Sequence, residues 1–279
     1  MFKNGFVLIL AILMSFVAVA EDRYLNLSHF SEILGKEKRF AVVLPPDYTT
    51  QKAYPVLYML HGAGGDYLAW HKPDGKLYEL SRNYQMIIVT PDVETSWLVD
   101  SPIKPESQYE SYMMKEFIPY IEANFSTIDS YRARGIMGLS MGGHGAMMFT
   151  LKYPDVFGVA SSTSGVLDIR MLPQTAGKKD VLGEPSENPE LWNNSSANYL
   201  AQDLQKMRRK PRLMFDVGLG DYVYGTNMAF HNTLKRQGID HTFRLYPGTH
   251  AWGYWVARLP EHLAFHGENL RSPQIVEEE

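Results

Sequence analysis

The stretch Gly135-Ile136-Met137-Gly138-Leu139-Ser140-Met141-Gly142-Gly143-His144-Gly145-Ala146 decides the fold. It contains G-x-S-x-G, with Gly138, Ser140 and Gly142 at the fixed positions. The pattern is short, so its context must carry the argument. An apolar run (Ile136, Met137, Leu139) precedes the serine, and a helix-forming run from Ala146 to Lys152 follows it. Strand, sharp turn and helix in that order make a nucleophile elbow, a strained turn that lifts a hydroxyl above the sheet. The glycines are needed because side chains two residues either side would collide with the neighbouring backbone.

The rest of the chain reads as the sheet such an elbow requires. Pro55-Val56-Leu57-Tyr58-Met59-Leu60 and Met86-Ile87-Ile88-Val89-Thr90 are almost wholly apolar, as strands buried on both faces are. Lys38 to Leu44, Val156 to Ser162, Arg212 to Asp216 and Thr242 to Tyr246 are further strands. Helical spacing or position between strands predicts helices over Leu77–Tyr84, Tyr109–Phe125, Met228–Gln237 and Gly253–Phe265. Pro119 should kink the second of these or sit where the missing donor is tolerated. Asp22 to Gly35 is mixed and expected on the surface. Asp168 to Lys210 is broken by Pro173, Gly177, Gly183, Pro185 and Pro189, and reads as a small insertion over the sheet or a long surface excursion. Alternating strands and helices imply an α/β fold, its sheet mostly parallel and covered by helices on both faces.

Composition bounds the function. The 279 residues carry a net charge of −4, with 45% hydrophobic and 21% charged residues, an ordinary globular balance that gives no reason to expect a nucleic-acid partner. Cysteine is absent, which excludes a thiol nucleophile, disulfides and thiolate metal sites. No His, Asp or Glu grouping has metal-ligand spacing, and no phosphate-cradling loop is present. Lys3, the apolar run Phe6–Val19 and Ala18-Val19-Ala20 read as a signal peptide over residues 1–20, cleaved after Ala20. The remaining residues, 21–279, read as one domain, secreted or periplasmic and without a stable membrane anchor.

A serine hydroxyl needs a base, and the base needs a carboxylate to fix its tautomer. On this architecture the order is Ser, acid, His, with the last two in the loops after the last two strands. Asp221 in Val217-Gly218-Leu219-Gly220-Asp221-Tyr222 is the expected acid. Asp216 competes, but it lies within the strand, where it should accept bonds from nearby backbone. His250 in Pro247-Gly248-Thr249-His250-Ala251-Trp252 is the expected base among 9 histidines, because the others fall in helices or at the wrong end of a strand or outside that loop. The oxyanion donors are expected to be the backbone N–H groups of Met141, after the nucleophile, and Ala63, in His61-Gly62-Ala63-Gly64-Gly65. His61 should orient that loop. Trp97 is favoured for a substrate pocket, since it lies in a loop at the carboxyl end of a strand. Trp252 and Trp255 could line the pocket or the core.

The elbow run Gly138–Ala146, Tyr54 to Asp66, Ser96 to Pro102, Tyr153 to Gly165, Gly218 to Tyr222 and Gly248 to Trp255 together resemble the esterase-D-like "putative esterase" family of α/β hydrolases. Its members include tributyrin, feruloyl and acetyl-xylan esterases, S-formylglutathione hydrolases and mycolyltransferases. The resemblance implies the α/β-hydrolase fold with a small insertion after the sixth strand. It places Ser140 as nucleophile, Asp221 as acid, His250 as base, and Ala63 and Met141 at the oxyanion positions. It implies a serine carboxylesterase that needs no cofactor and acts on short acyl, acetyl or feruloyl esters, some of them carried on carbohydrate. An acyltransferase with the same triad is the alternative, and a catalytically silent carbohydrate-binding protein the third. The formylglutathione branch usually has cysteines near the oxyanion loop and no export signal, and this chain matches neither feature. His144 stands where many members carry an aromatic residue and has no expected role. The insertion is expected to shape the pocket.

Overall fold

Four strands have no exposed position at all: Val56–Leu60 and Ile87–Pro91, almost wholly apolar as burial on both faces favours, and Arg134–Leu139 and Val159–Thr163. A computed structural model describes residues 24–71, 76–174 and 177–275. The segment 1–20, read as a signal peptide, lies outside the described residues. Among the described residues no helix is long and apolar enough to cross a membrane.

The chain begins with β1 (Tyr24–Ser31) and β2 (Lys36–Val43), an antiparallel pair, then a short β3 (Lys52–Ala53) and β4 (Val56–Leu60). Helix α1 (Lys76–Tyr84) leads to β5 (Ile87–Pro91). Next come α2 (Tyr109–Tyr112), a π-helical turn over Met113–Phe117, and α3 (Ile118–Asn124). The elbow pair is β6 (Arg134–Leu139) and α4 (Met141–Lys152), followed by β7 (Val159–Thr163). Three short helices, α5 (Lys179–Leu182), α6 (Pro189–Asn194) and α7 (Ala197–Leu200), precede β8 (Arg212–Gly218). Helix α8 (Tyr224–Arg236), β9 (Thr242–Tyr246) and α9 (Trp252–Asn269) follow, and β10 (Gln274–Ile275) pairs with β3 in a separate ribbon.

The main sheet runs β1-β2-β5-β4-β6-β7-β8-β9. From β5 to β9 every neighbour is parallel, while β1 and β2 are antiparallel additions at one edge. The order reverses between β4 and β6: β5 goes to one side of β4, and β6 to β9 go to the other. The carboxyl ends of strands at such a switch point leave a crevice where ligands bind. One apolar core, under α2 to α8, includes Phe149, Met147 and Trp192; the other, under α1 and α9, includes Leu57, Leu259 and Leu263.

Three local features correct or sharpen the sequence reading. The segment expected on the surface at 22–35 contains β1, and its inward positions near the strand end are His29 and Ser31 rather than aliphatic residues. His29 Nε2 meets the Tyr112 hydroxyl at 2.9 Å, and Ser31 donates to Glu116 at 2.5 Å. Polar side chains on the buried face hid the alternation. The helix over 109–125 is interrupted by the π-helical turn, which places Pro119 in the first turn of α3, where an amide donor is dispensable. The insertion is packed, not an excursion. It follows the sixth strand of the main sheet and adds Val181, Leu182, Trp192, Ala197 and Leu204 to the larger core. Asp168 ties it down, accepting from Arg170 Nε (2.8 Å), Asn198 Nδ2 (2.9 Å) and the Ser196 hydroxyl (3.1 Å).

Two of the wholly buried histidines, His266 and His144, pack against the sheet and the elbow helix. His266 of α9 bonds the Ser161 hydroxyl at 2.9 Å, and His144 of α4 donates from Nε2 to the Trp97 carbonyl at 3.1 Å. Burial lowers the pKa of each to about 3. In the unfolded chain a histidine titrates near 6.5, so between pH ~6.5 and ~3 the unfolded state binds protons that the folded state refuses. Stability therefore falls as pH drops below 6.5, by up to about 1.4 kcal/mol per pH unit for each histidine. Urea unfolding at pH 7.5, 5.5 and 4.5 should show a steadily falling midpoint. A midpoint that is level from 7.5 to 4.5 would contradict the burial of neutral imidazoles.

Candidate active site

Ser140 joins β6 to α4 with φ 53° and ψ −117°, a left-handed conformation that a side-chain-bearing residue adopts only under constraint. The constraint is visible. The Ser140 N–H donates to the Thr163 carbonyl (3.2 Å), and its carbonyl accepts from the His144 N–H (2.9 Å). A Cβ on Gly142 would overlap the backbone of Leu60 and lie 2.5 Å from the His61 carbonyl oxygen. Helix α4 can thus start this close to the end of β4 only with glycine there.

Asp221 and His250 come from the loops after β8 and β9. The loops are tied by backbone bonds: Leu219 N–H to Tyr246 O (2.8 Å) and Gly220 N–H to Gly248 O (2.9 Å). Gly218 allows this approach, since a Cβ there would sit 2.5 Å from the Gly248 oxygen. Both Asp221 oxygens lie 3.0 Å from His250 Nδ1, and Oδ1 also accepts the Val223 N–H at 3.0 Å. The Asp221 side chain is fully buried. With Nδ1–H donated to Asp221, the Nε2 lone pair of His250 faces Ser140 Oγ at 2.9 Å. This arrangement can take the hydroxyl proton as the oxygen attacks an electrophilic carbon, and can hold the resulting imidazolium against a carboxylate.

A cleft of about 510 Å³ opens on this relay. One wall is the loop after β4, with Gly62, Ala63, Gly64 and Gly65; the other carries Tyr222, Trp252 and Trp255. His61, 1% exposed, holds the glycine loop as expected. Its Nε2 accepts the Val93 N–H (3.0 Å), so its Nδ1–H donates to the Gly62 carbonyl (2.8 Å). Ala63 lines the cleft, and its N–H has no hydrogen-bond acceptor among the described residues. Met141 opens α4, where the first N–H groups have no acceptor within the helix. Both backbone donors are therefore available to an incoming oxyanion.

Trp97 does not line this cleft and is 1% exposed. Trp97 and Leu98 are consecutive left-handed residues (φ 52° and 59°), and this turn takes the loop behind the elbow helix. There the Trp97 carbonyl holds His144, and its ring lies 4.2 Å beneath the Lys178 ammonium. A substrate-binding role for Trp97 is thereby replaced by a packing role, and Trp252 and Trp255 supply the aromatic wall. None of the described residues of the segment 168–210 lines this cleft, and several of them pack on the larger core instead. Asp216, 1% exposed, takes side-chain rather than backbone donors: Thr163 Oγ1 (3.0 Å), the Tyr254 hydroxyl (2.7 Å) and His262 Nε2. It fastens α9 to the sheet. The sequence reading assigned nothing to Tyr222. Its place directly after the acid was the one available signal.

The family model described as "Putative esterase" matches residues 31–266. An esterase of Mycobacterium tuberculosis (strain ATCC 25618 / H37Rv) is 29% identical over 236 residues, which cover 76% of this chain and 52% of that protein. The chain thus spans about half the length of that relative. An acetyl esterase of Caldicellulosiruptor saccharolyticus is 27% identical over 251 residues, covering 83% of this chain and 93% of its own. Among solved structures, a ferulic acid esterase matches with a TM-score of 0.76 at 26% identity, over 88% of this chain and 98% of that one. The sheet order, the helices on both faces and these likenesses give the chain the α/β-hydrolase fold that the family resemblance implied.

Proposed function

The chain belongs to the family described as "Putative esterase", and we propose that it is a serine carboxylesterase working through Ser140, His250 and Asp221. Ser140 Oγ attacks the ester carbonyl while His250 Nε2 takes its proton. Asp221 keeps the imidazole in the required tautomer and stabilises its charge. The N–H groups of Ala63 and Met141 receive the oxyanion. The imidazolium protonates the departing alcohol, and water then hydrolyses the acyl-enzyme by the same steps. The observation that carries this reading is the continuous relay at 2.9 and 3.0 Å, set at a strained elbow on the floor of a cleft.

The substrate class is a short acyl, acetyl or feruloyl ester, with a carbohydrate as one source of the alcohol. The acetyl esterase and ferulic acid esterase likenesses support this range, and so does the aromatic wall of Tyr222, Trp252 and Trp255, which suits a flat ring. The N-terminal leader read from residues 1–20 supports export, with 21–279 acting as one secreted or periplasmic unit. A panel of p-nitrophenyl esters, methyl ferulate and an acetylated xylan tests the proposal. At least one should be turned over with kcat/KM above about 10⁴ M⁻¹ s⁻¹, the lower end of the ordinary enzymatic range. Rates indistinguishable from buffer on the whole panel would overturn it.

A further inference from the structure

Tyr222 stands at the centre of the relay without an assigned part. It follows Asp221 directly, is 51% exposed, and lines the cleft. Its ring centroid is 4.5 Å from that of His250, and its hydroxyl is 3.4 Å from His250 Nε2. The same nitrogen is 2.9 Å from Ser140 Oγ. At 3.4 Å the contact to Nε2 is at the long limit of a hydrogen bond, and the phenol also lies within hydrogen-bonding reach of Ser140.

The position matters because of what happens at Nε2. Once Ser140 has attacked, Nε2 carries the transferred proton. The oxygen that receives it must approach Nε2 to about 2.6–3.2 Å. That oxygen belongs to the leaving alcohol, and it must enter from the cleft, where the Tyr222 hydroxyl already sits beside Nε2. We propose that Tyr222 is a further catalytic residue, whose hydroxyl donates a hydrogen bond to the leaving-group oxygen as the acyl carbon–oxygen bond breaks. The proposal rests on the serine-esterase reading above.

The step balances as follows. The bond from Ser140 Oγ to the acyl carbon is already formed. A lone pair of the oxyanion re-forms the acyl C=O as the bond from that carbon to the alcohol oxygen breaks, and the pair from the broken bond stays on the alcohol oxygen. The proton that His250 took from Ser140 passes to the same oxygen. Tyr222 keeps its own proton throughout. Burial, with Asp221 adjacent, raises the phenol pKa above its ordinary value, so it remains a donor.

A donor at the leaving oxygen helps most where negative charge is concentrated there. An alkoxide or sugar oxygen holds its charge on one atom, whereas p-nitrophenolate spreads it over the ring. Tyr222→Phe keeps the ring against His250 and removes only the hydroxyl. It should therefore lower kcat/KM for alkyl or sugar esters about tenfold more than for the p-nitrophenyl ester of the same acid, the factor expected for one hydrogen bond to a charged oxygen. A plot of log kcat/KM against leaving-group pKa should steepen accordingly. A loss equal across the series, or no loss, overturns the proposal; an equal loss would mean that the hydroxyl acts on the imidazole or the serine whatever the leaving group, and no loss that only the ring matters there. Ser140→Ala run in parallel separates the two levels of the argument. An active Ser140→Ala sinks the esterase reading itself, whereas an inactive one beside an unchanged slope in Tyr222→Phe sinks only the role of the phenol.

Discussion

Ser140→Ala is expected to lower kcat/KM on a short acyl ester by a factor on the order of 10⁴ to 10⁶, the cost of removing the nucleophile from a triad. The only atom lost is Oγ, and with it goes the hydrogen bond to His250 at 2.9 Å. Such a bond contributes about 1 kcal/mol net to stability. For a chain of this size that moves Tm by about 2–4 °C. The variant should fold and lack turnover. Because the three side chains act as a unit, adding His250→Ala should cost little more than either substitution alone. Multiplying losses in the double variant would mean that the two residues act independently, which a shared proton relay does not allow.

The second large effect is structural. Gly142→Ala should destabilise the protein by about 3 kcal/mol or more, at the upper end of what overpacking costs. The new Cβ would meet carbonyl oxygens of Leu60 and His61, and these are backbone atoms at the end of a central strand that cannot rotate away. Relief requires α4 to move off β4. That shift would separate Met141 from the Ala63 loop, so the folded fraction should also lose activity. Gly253→Ala is the matched control. A Cβ there meets nothing within 4 Å, and it replaces a poor helix former in the first turn of α9, so Tm should hold or rise. Thermal melts of the two variants test the contrast, and equal stability would remove the steric basis for the elbow.

Much of this was legible in the sequence, for identifiable reasons. The strands at Val56–Leu60 and Ile87–Pro91 announce themselves because burial on both faces leaves almost no polar positions. The elbow is legible because close backbone approach demands glycine at fixed spacing. Given the elbow, chain order alone confines the acid and base to two loops, and the structure brings Ser140, Asp221 and His250 together from positions 110 and 29 residues apart. What stayed hidden depends on partners distant in sequence. β1 carries His29 and Ser31 inward because Tyr112 and Glu116 are there to bond them, which no local pattern reveals. Trp97 sits at the expected end of the sheet, yet two successive left-handed residues turn its loop behind α4. The insertion is rich in breakers, and its helices are too short to show periodicity, so its packing could not be read. Tyr222 is adjacent to the acid in sequence, but its closeness to Nε2 is a matter of three dimensions.

The central claim is that Ser140 becomes covalently linked to the acyl group. Labelling with a fluorophosphonate, followed by peptide mapping and an activity assay on the same sample, tests it most directly. The predicted result is one phosphonyl group per chain on Ser140, ester hydrolysis falling in proportion to labelling, and no label on Ser140→Ala. A label on another residue, or hydrolysis undiminished after Ser140 is fully modified, would contradict it.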